Sequence, residues 1–105
     1  MAEIRQRIVF HGRVQGVGFR YTAKYLAQSL GLTGWVENEF DGTVVMEIQG
    51  REPMIHKLQE GLNRNSFIEI EWIDTENIPA VSYTHLRAHE TDNIPVEPES
   101  CFYVR

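Results

Sequence analysis

Three glycines and two arginines fall within nine residues of this chain, Gly12-Arg13-Val14-Gln15-Gly16-Val17-Gly18-Phe19-Arg20, between a strand-like apolar run and an amphipathic helix. Glycines let successive main-chain N–H groups turn toward one point with no Cβ in the way. A helix that starts there adds the positive end of its dipole. A guanidinium at Arg20 supplies a planar, permanently charged fork that matches phosphate oxygens. The tract therefore reads as an anion cradle.

Charge along the chain agrees with a small anion better than with a polyanion. The net charge is −5, yet the first 24 residues carry Arg5, Arg7, Arg13, Arg20 and Lys24 against Glu3 alone. The remainder sets five basic residues against fourteen acidic ones, so the surface as a whole cannot serve nucleic acid. Arg5 and Arg7 are expected on the solvent face of the first strand. At 105 residues, with 42% hydrophobic and 24% charged residues, the chain is expected to close one hydrophobic core as a single domain. No apolar run approaches membrane-spanning length, and the polar opening Met1-Ala2-Glu3-Ile4-Arg5-Gln6-Arg7 does not read as a secretory signal. The single cysteine, Cys101, forms no Cys-x-x-Cys pair and reads as a small apolar filler in a reducing compartment. The expected location is cytoplasmic.

The elements that would position the cradle follow from periodicity. Residues from about Arg5 to Val14 carry Ile8 and Phe10 at period two and read as a first strand. Phe19, Ala23, Leu26, Ala27 and Leu30 share one face of a helix that Gly31 stops. Leu32, Gly34 and Val36 alternate with polar or aromatic neighbours. Asp41-Gly42 supplies turn chemistry, and Val44, Met46 and Ile48 alternate beyond it, which makes a hairpin. Pro53 suits the first turn of a second helix whose apolar face is Met54, Ile55, Leu58 and Leu62. Ile68, Ile70 and Trp72 predict a fourth strand with Trp72 on the same side as the isoleucines, and Phe102 with Val104 predict a short fifth. The order β-α-β-β-α-β-β predicts an α+β, ferredoxin-like two-layer sandwich: a mostly antiparallel sheet of about five strands with two helices on one face.

One stretch does not fit that pattern. Asp74-Thr75-Glu76-Asn77-Ile78-Pro79-Ala80 is echoed by Glu90-Thr91-Asp92-Asn93-Ile94-Pro95-Val96, which reads as an insertion or local duplication near residues 75–96. His85 and His89 lie four apart inside it. Without a third ligand they read as loop histidines, and no metal site is predicted. A monomer is expected, with strand exchange through this long connection as the route to a dimer.

The glycine loop ending in Phe19-Arg20, followed by Gly34-Trp35-Val36-Glu37-Asn38 and Asp41-Gly42-Thr43-Val44, resembles the acylphosphatase family from about Ile8 to Trp72, with a matching close at Phe102-Tyr103-Val104-Arg105. The connection between the last two strands is longer than that family's. The resemblance implies a hydrolase that cleaves the carboxyl–phosphate anhydride of small-molecule acyl phosphates by water attack, without metal or other cofactor. It implies that Arg20 and the main-chain N–H groups of Gln15, Gly16, Val17, Gly18 and Phe19 hold the phosphoryl group, so that phosphate or sulfate would bind there. It implies that Asn38 holds the attacking water through its amide. Those types suit the chemistry: Arg stays protonated, and a neutral amide orients water without bringing negative charge to an anion. Thr43 is a candidate support for Asn38 from the neighbouring strand.

Singly, these residues have bland readings. Arg20 could be a surface helix residue, Asn38 a turn residue, and the glycines a tight strand-to-helix connection. His11, with no paired nucleophile, reads as a strand histidine, and Tyr21, Tyr25 and Trp35 as core or rim packing. The alternative for the whole chain is a non-catalytic ferredoxin-like module that binds an anion for regulation. An RNA-binding module shares the element order but lacks its aromatic and basic strand signature. A carbamoyl-phosphate-handling domain would need further domains beyond those present.

Overall fold

Ile8 and Phe10, two residues apart on the first strand, are 0% and 1% exposed, and the chain builds its core outward from that side of the sheet. The computed structural model describes residues 3–81 and 101–105. Its elements run β1 (Ile4–Arg13), α1 (Phe19–Ser29), β2 (Thr33–Asn38), β3 (Val44–Gly50), α2 (Glu52–Arg64), β4 (Glu69–Ile78) and β5 (Phe102–Val104). The strands form one sheet in the order β4-β1-β3-β2-β5. β1 pairs antiparallel with both β3 and β4, β2 pairs antiparallel with β3, and β5 lies parallel to β2 with Phe102 opposite Gly34. The molecule is the predicted two-layer α+β sandwich.

Both helices lie on one face because their apolar stripes meet the same side of the sheet. Phe19, Ala23 and Ala27 of α1 and Ile55, Leu58 and Leu62 of α2 join Ile8, Phe10, Val36, Val44, Met46, Ile48 and Phe102 in a single buried cluster. Each large aliphatic or aromatic side chain buried this way contributes about 1.5–3 kcal/mol relative to exposure. The stop predicted at Gly31 is realised as a paired closure, with Gly31 N–H donating to Gln28 O at 3.3 Å and Leu32 N–H to Ala27 O at 2.9 Å. Leu32 is thereby swung into the core, 2% exposed.

Among the described residues the other face carries no helix and is a lattice of charge. Arg5, only 8% exposed, donates to Glu47 Oε1 at 3.0 and 3.2 Å and to Gln49 Oε1 at 3.3 Å, while Arg7 pairs with the second Glu47 oxygen at 3.5 Å. Arg7 matches the expectation of a solvent-facing strand residue, whereas Arg5 is buried in this network. At the β5 edge Arg105 stacks over Trp35, 4.0 Å from the ring centroid, and pairs with Glu37 at 3.5 Å.

The fourth strand departs from its sequence reading in two ways. Its register shifts between His11 and Gly12, which pair with Trp72 and Ile70, so Glu71 stands opposite no residue. One extra residue in a strand flips every later side chain to the other face. Ile68 and Ile70 therefore pack toward the core, but Trp72 turns to the open face, 54% exposed and stacked on His11 at 4.4 Å. The strand is also longer than predicted. Asp74 to Ile78, the first five residues of the first copy of the echoed stretch, continue along β1 opposite Val9 to Arg5. His85, His89 and the second copy lie outside the described residues. Among the described residues no helix is long and apolar enough to cross a membrane, and no three His, Cys, Asp or Glu side chains form a candidate metal cluster.

Candidate active site

The start of α1 is built against the rules that stabilise a helix. α2 follows them, with acidic Glu52 in its first turn and basic Arg64 in its last. α1 has no acidic residue in its first turn, no basic residue in its last and no side-chain cap, and it places Arg20 where the dipole disfavours a cation. Gly18, the residue before the helix, is left-handed at φ 79°, and Gly16 has φ 75°. A Cβ at either would meet no atom within 4 Å, so these positions require glycine for the turn and not for space. From Gln15 to Arg20 no main-chain N–H donates to a main-chain acceptor among the described hydrogen bonds. A run of unengaged donors, a positive helix end and a guanidinium thus share one place, and that is what an oxyanion needs.

These groups border one cavity of about 140 Å³, lined by Gly16, Gly18, Phe19, Arg20, Tyr21 and Asn38. Asn38 arrives from the last position of β2, paired with Val44 of β3, and β3 lies next to β1, which delivers the loop. The adjacency of β1 and β3 is what carries residue 38 to residue 20. Asn38 Oδ1 is buried and has no hydrogen-bond partner, the one such side-chain atom among the described residues. Buried polar atoms are nearly always satisfied, and an acceptor at a cavity with no protein partner is placed to take a donor from solvent or substrate.

Arg20 Nη1 donates to the main-chain oxygen of Arg105 at 2.9 Å. The residue after β5 thus fixes one arm of the fork, and among the described residues the other arms have no partner. Phe19 anchors the helix start from below: it is 2% exposed and its ring meets Phe10 at 4.9 Å. Val17 packs against the core from the loop. Of the predicted loop residues Gly16, Gly18 and Phe19 border the cavity, and the side chains of Gln15 and Val17 secure the loop that carries the main-chain N–H groups.

Thr43 does not reach Asn38. Its hydroxyl donates to Asp41 Oδ1 at 2.6 Å and its N–H to the same oxygen at 3.0 Å, a local turn that outcompetes any cross-strand bond. These bonds hold the Asp41 carboxyl below its ordinary pKa. Glu39 is displaced the other way, above the usual range, chiefly by a hydrogen bond with the Glu37 carboxyl, then by partial burial and the charges of Glu37 and Asp41, with Arg7 opposing. His11 faces away from the cavity in a contact with Asp74 Oδ2 at 2.8 Å. It remains the strand histidine that the sequence implies.

Two contributors escape a reading of sequence. The Arg105 oxygen is one, because a main-chain acceptor has no residue type. The Gln15 side chain is the other: its Nε2 donates to the main-chain oxygens of Glu39 and of Thr43, the latter at 2.8 Å, and ties the loop to the turn after Asn38. Gln15→Ala removes these two bonds, each worth about 0.5–1.5 kcal/mol net, while Glu39 O and Thr43 O keep the main-chain N–H groups of Gly42 and Glu39 as donors. The expected result is a loss of about 1–3 kcal/mol in unfolding free energy and weaker phosphate binding, read by chemical denaturation and phosphate titration. Unchanged values of both would assign the bond no role.

A family model described as Acylphosphatase matches residues 6–86. An acylphosphatase of Clostridium perfringens is 46% identical over 76 residues, covering 71% of this chain and 85% of that protein. The crystal structure of an acylphosphatase from Bacillus subtilis superposes with a TM-score of 0.74 at 28% identity, covering 97% of this chain and 98% of the other. An acylphosphatase structure from Coxiella burnetii gives a TM-score of 0.75, also at 28% identity, with 98% and 93% covered.

Proposed function

The chain belongs to the acylphosphatase family and is a hydrolase of acyl phosphates, and from that premise we propose that the cavity at the start of α1 is where it works, with Arg20 and Asn38 as its catalytic residues. The observation that carries this assignment is that the loop glycines, Arg20 and the unpartnered Asn38 amide oxygen border the same small cavity.

The chemistry asks little more of the protein. A carboxylate is a good leaving group, so catalysis consists mainly of holding the phosphoryl group, offsetting its charge and aligning a water in line with the breaking bond. The remaining arms of Arg20 and the N–H groups from Gln15 to Arg20 hold the three phosphoryl oxygens and strengthen as charge shifts onto them. Asn38 Oδ1 accepts a hydrogen bond from the attacking water and turns its lone pair toward phosphorus. The water oxygen bonds to phosphorus as the phosphorus–oxygen bond to the acyl group breaks. The bonding pair leaves with the carboxylate, and both water hydrogens end on the released phosphate. Each step is served by this chain's own groups, which supports a metal-independent reaction.

A single cysteine, Cys101, leaves the chain no internal disulfide to form, which supports a reducing, cytoplasmic setting. Pairing of β5 with β2 of its own chain supports a monomer. A purely regulatory anion module would need the cradle but has no use for an unpartnered buried amide beside it. The test is release of phosphate from acetyl phosphate in the presence of a chelator, with inorganic phosphate as competitive inhibitor. Turnover with chelator present is expected. Phosphate binding without any turnover would favour the regulatory module, and turnover that needs an added metal would overturn the proposed chemistry.

A further inference from the structure

A second cavity, of about 260 Å³, opens on the sheet face opposite the helices and shares no lining residue with the one at the start of α1. All four strands on that side of the sheet contribute: Arg5 from β1, Glu47 from β3, Gly34 and Trp35 from β2 and Tyr103 from β5, with Arg105 just beyond. Register makes them neighbours, since Trp35 pairs with Glu47 on one side and with Tyr103 on the other.

Arg5 is the unusual member. It is buried, and its guanidinium carries five N–H donors. Nε and Nη2 donate to Glu47 Oε1 and Nη1 donates to Gln49 Oε1, which leaves one N–H on each Nη with no protein acceptor among the described residues. A buried cation with spare donors at a cavity is placed to take an acceptor from outside the chain. The guanidinium is also held still. Its partner Gln49 is buried and ties Val81, accepting from its N–H at 2.8 Å and donating to its main-chain oxygen at 3.0 Å.

The rest of the lining is aromatic and weakly positive. Trp35 and Tyr103 supply rings, and Arg105 lies over the first of them. Arg5 and Arg105 exceed Glu47 by one charge, and the balance is the same when their ion-pair partners Arg7 and Glu37 are counted. One net positive charge suits a monoanion, whereas a dianion such as phosphate would meet Glu47 at close range. The volume falls below the roughly 300–1,000 Å³ of pockets that hold drug-sized ligands, so the occupant is small.

We propose that this cavity is a second ligand site, for a small organic monocarboxylate, with the carboxylate on the spare Arg5 donors and the apolar body against Trp35 and Tyr103. Hydrolysis of an acyl phosphate releases a molecule of this class. The site itself does not depend on the catalytic assignment, because no residue is shared between the two linings.

The experiment titrates the full chain with benzoate and follows its N–H groups by two-dimensional NMR. The Trp35 indole N–H and the main-chain N–H groups of Gly34 and Tyr103 are expected to shift saturably with benzoate, and those of Gly16 and Gly18 with inorganic phosphate. Benzamide, which keeps the ring but not the charge, is expected to bind wild-type protein at least about tenfold more weakly, the worth of a hydrogen bond to a charged group. Trp35→Leu is expected to weaken benzoate about five- to tenfold, and Arg5→Gln to abolish its binding, with the phosphate response of Gly16 and Gly18 kept as the check on folding. Should Arg5→Gln fail to fold, the benzoate–benzamide comparison in wild-type protein decides. Benzoate shifts confined to Gly16 and Gly18 would put the carboxylate in the phosphate cradle, equal binding of benzamide would remove recognition by Arg5, and the absence of any saturable shift would leave the cavity without this ligand. Each of those results overturns the proposal, and none of them touches the hydrolase reading.

Discussion

Arg20→Ala is expected to lower kcat/KM for acetyl phosphate by about 10²- to 10³-fold or more, the cost of removing a donor aimed at developing oxyanion charge in a sheltered site. Stability is expected to change little, because two small effects oppose one another. The substitution removes one exposed hydrogen bond to Arg105 O, worth roughly 0.5–1.5 kcal/mol. It also removes a cation from a helix N-terminus that contains no acidic residue, which relieves about 0.3–1 kcal/mol. Circular dichroism and thermal unfolding alongside the kinetics separate lost chemistry from lost fold. Arg20→Lys sharpens the test: it keeps the charge but not the planar fork, so partial recovery is expected. Full activity in Arg20→Ala would remove the guanidinium from the mechanism.

That near balance explains why the site is legible in residue types alone. A helix start selected for stability looks like that of α2, with an acid in its first turn and a base in its last. Gly16-Val17-Gly18-Phe19-Arg20 breaks each of those preferences, and such violations are expected where function overrides folding. The sheet is equally open to reading, because Ile8 and Phe10, or Val44, Met46 and Ile48, show their buried side directly as alternation. Trp72 is not, since a bulge at Glu71 leaves no signature in residue type while it inverts the alternation. Gln15 draws notice in the sequence for its main-chain N–H, but its side chain spans to the carbonyls of Glu39 and Thr43, a contact that depends on how β1 and the β2–β3 turn are brought together. Arg105 shows the same limit: its residue type says nothing of its main-chain oxygen, which orients Arg20. What residue types hide in this chain are long-range contacts made through main-chain atoms, which carry no residue identity.

Asn38→Ala is expected to act on turnover and not on binding. With the water no longer held, kcat falls on the order of 10²-fold, the penalty typical of a misplaced reacting group, while KM for acetyl phosphate and the inhibition constant for phosphate stay near wild type. An interaction made with the attacking water alone lowers kcat and kcat/KM together. The effect on stability is expected to be small, because Asn38 Oδ1 has no protein partner to lose. The melting temperature is therefore expected to hold. A fall in melting temperature with little change in kcat would show a structural amide. Asn38→Asp distinguishes the water from the anion: the isosteric carboxylate still accepts from water but repels the phosphoryl group, so KM should rise where Asn38→Ala leaves it alone, and added salt should narrow the difference. The two variants together ask whether this position serves the nucleophile or the phosphate, and the buried, unsatisfied oxygen is the reason to expect the nucleophile.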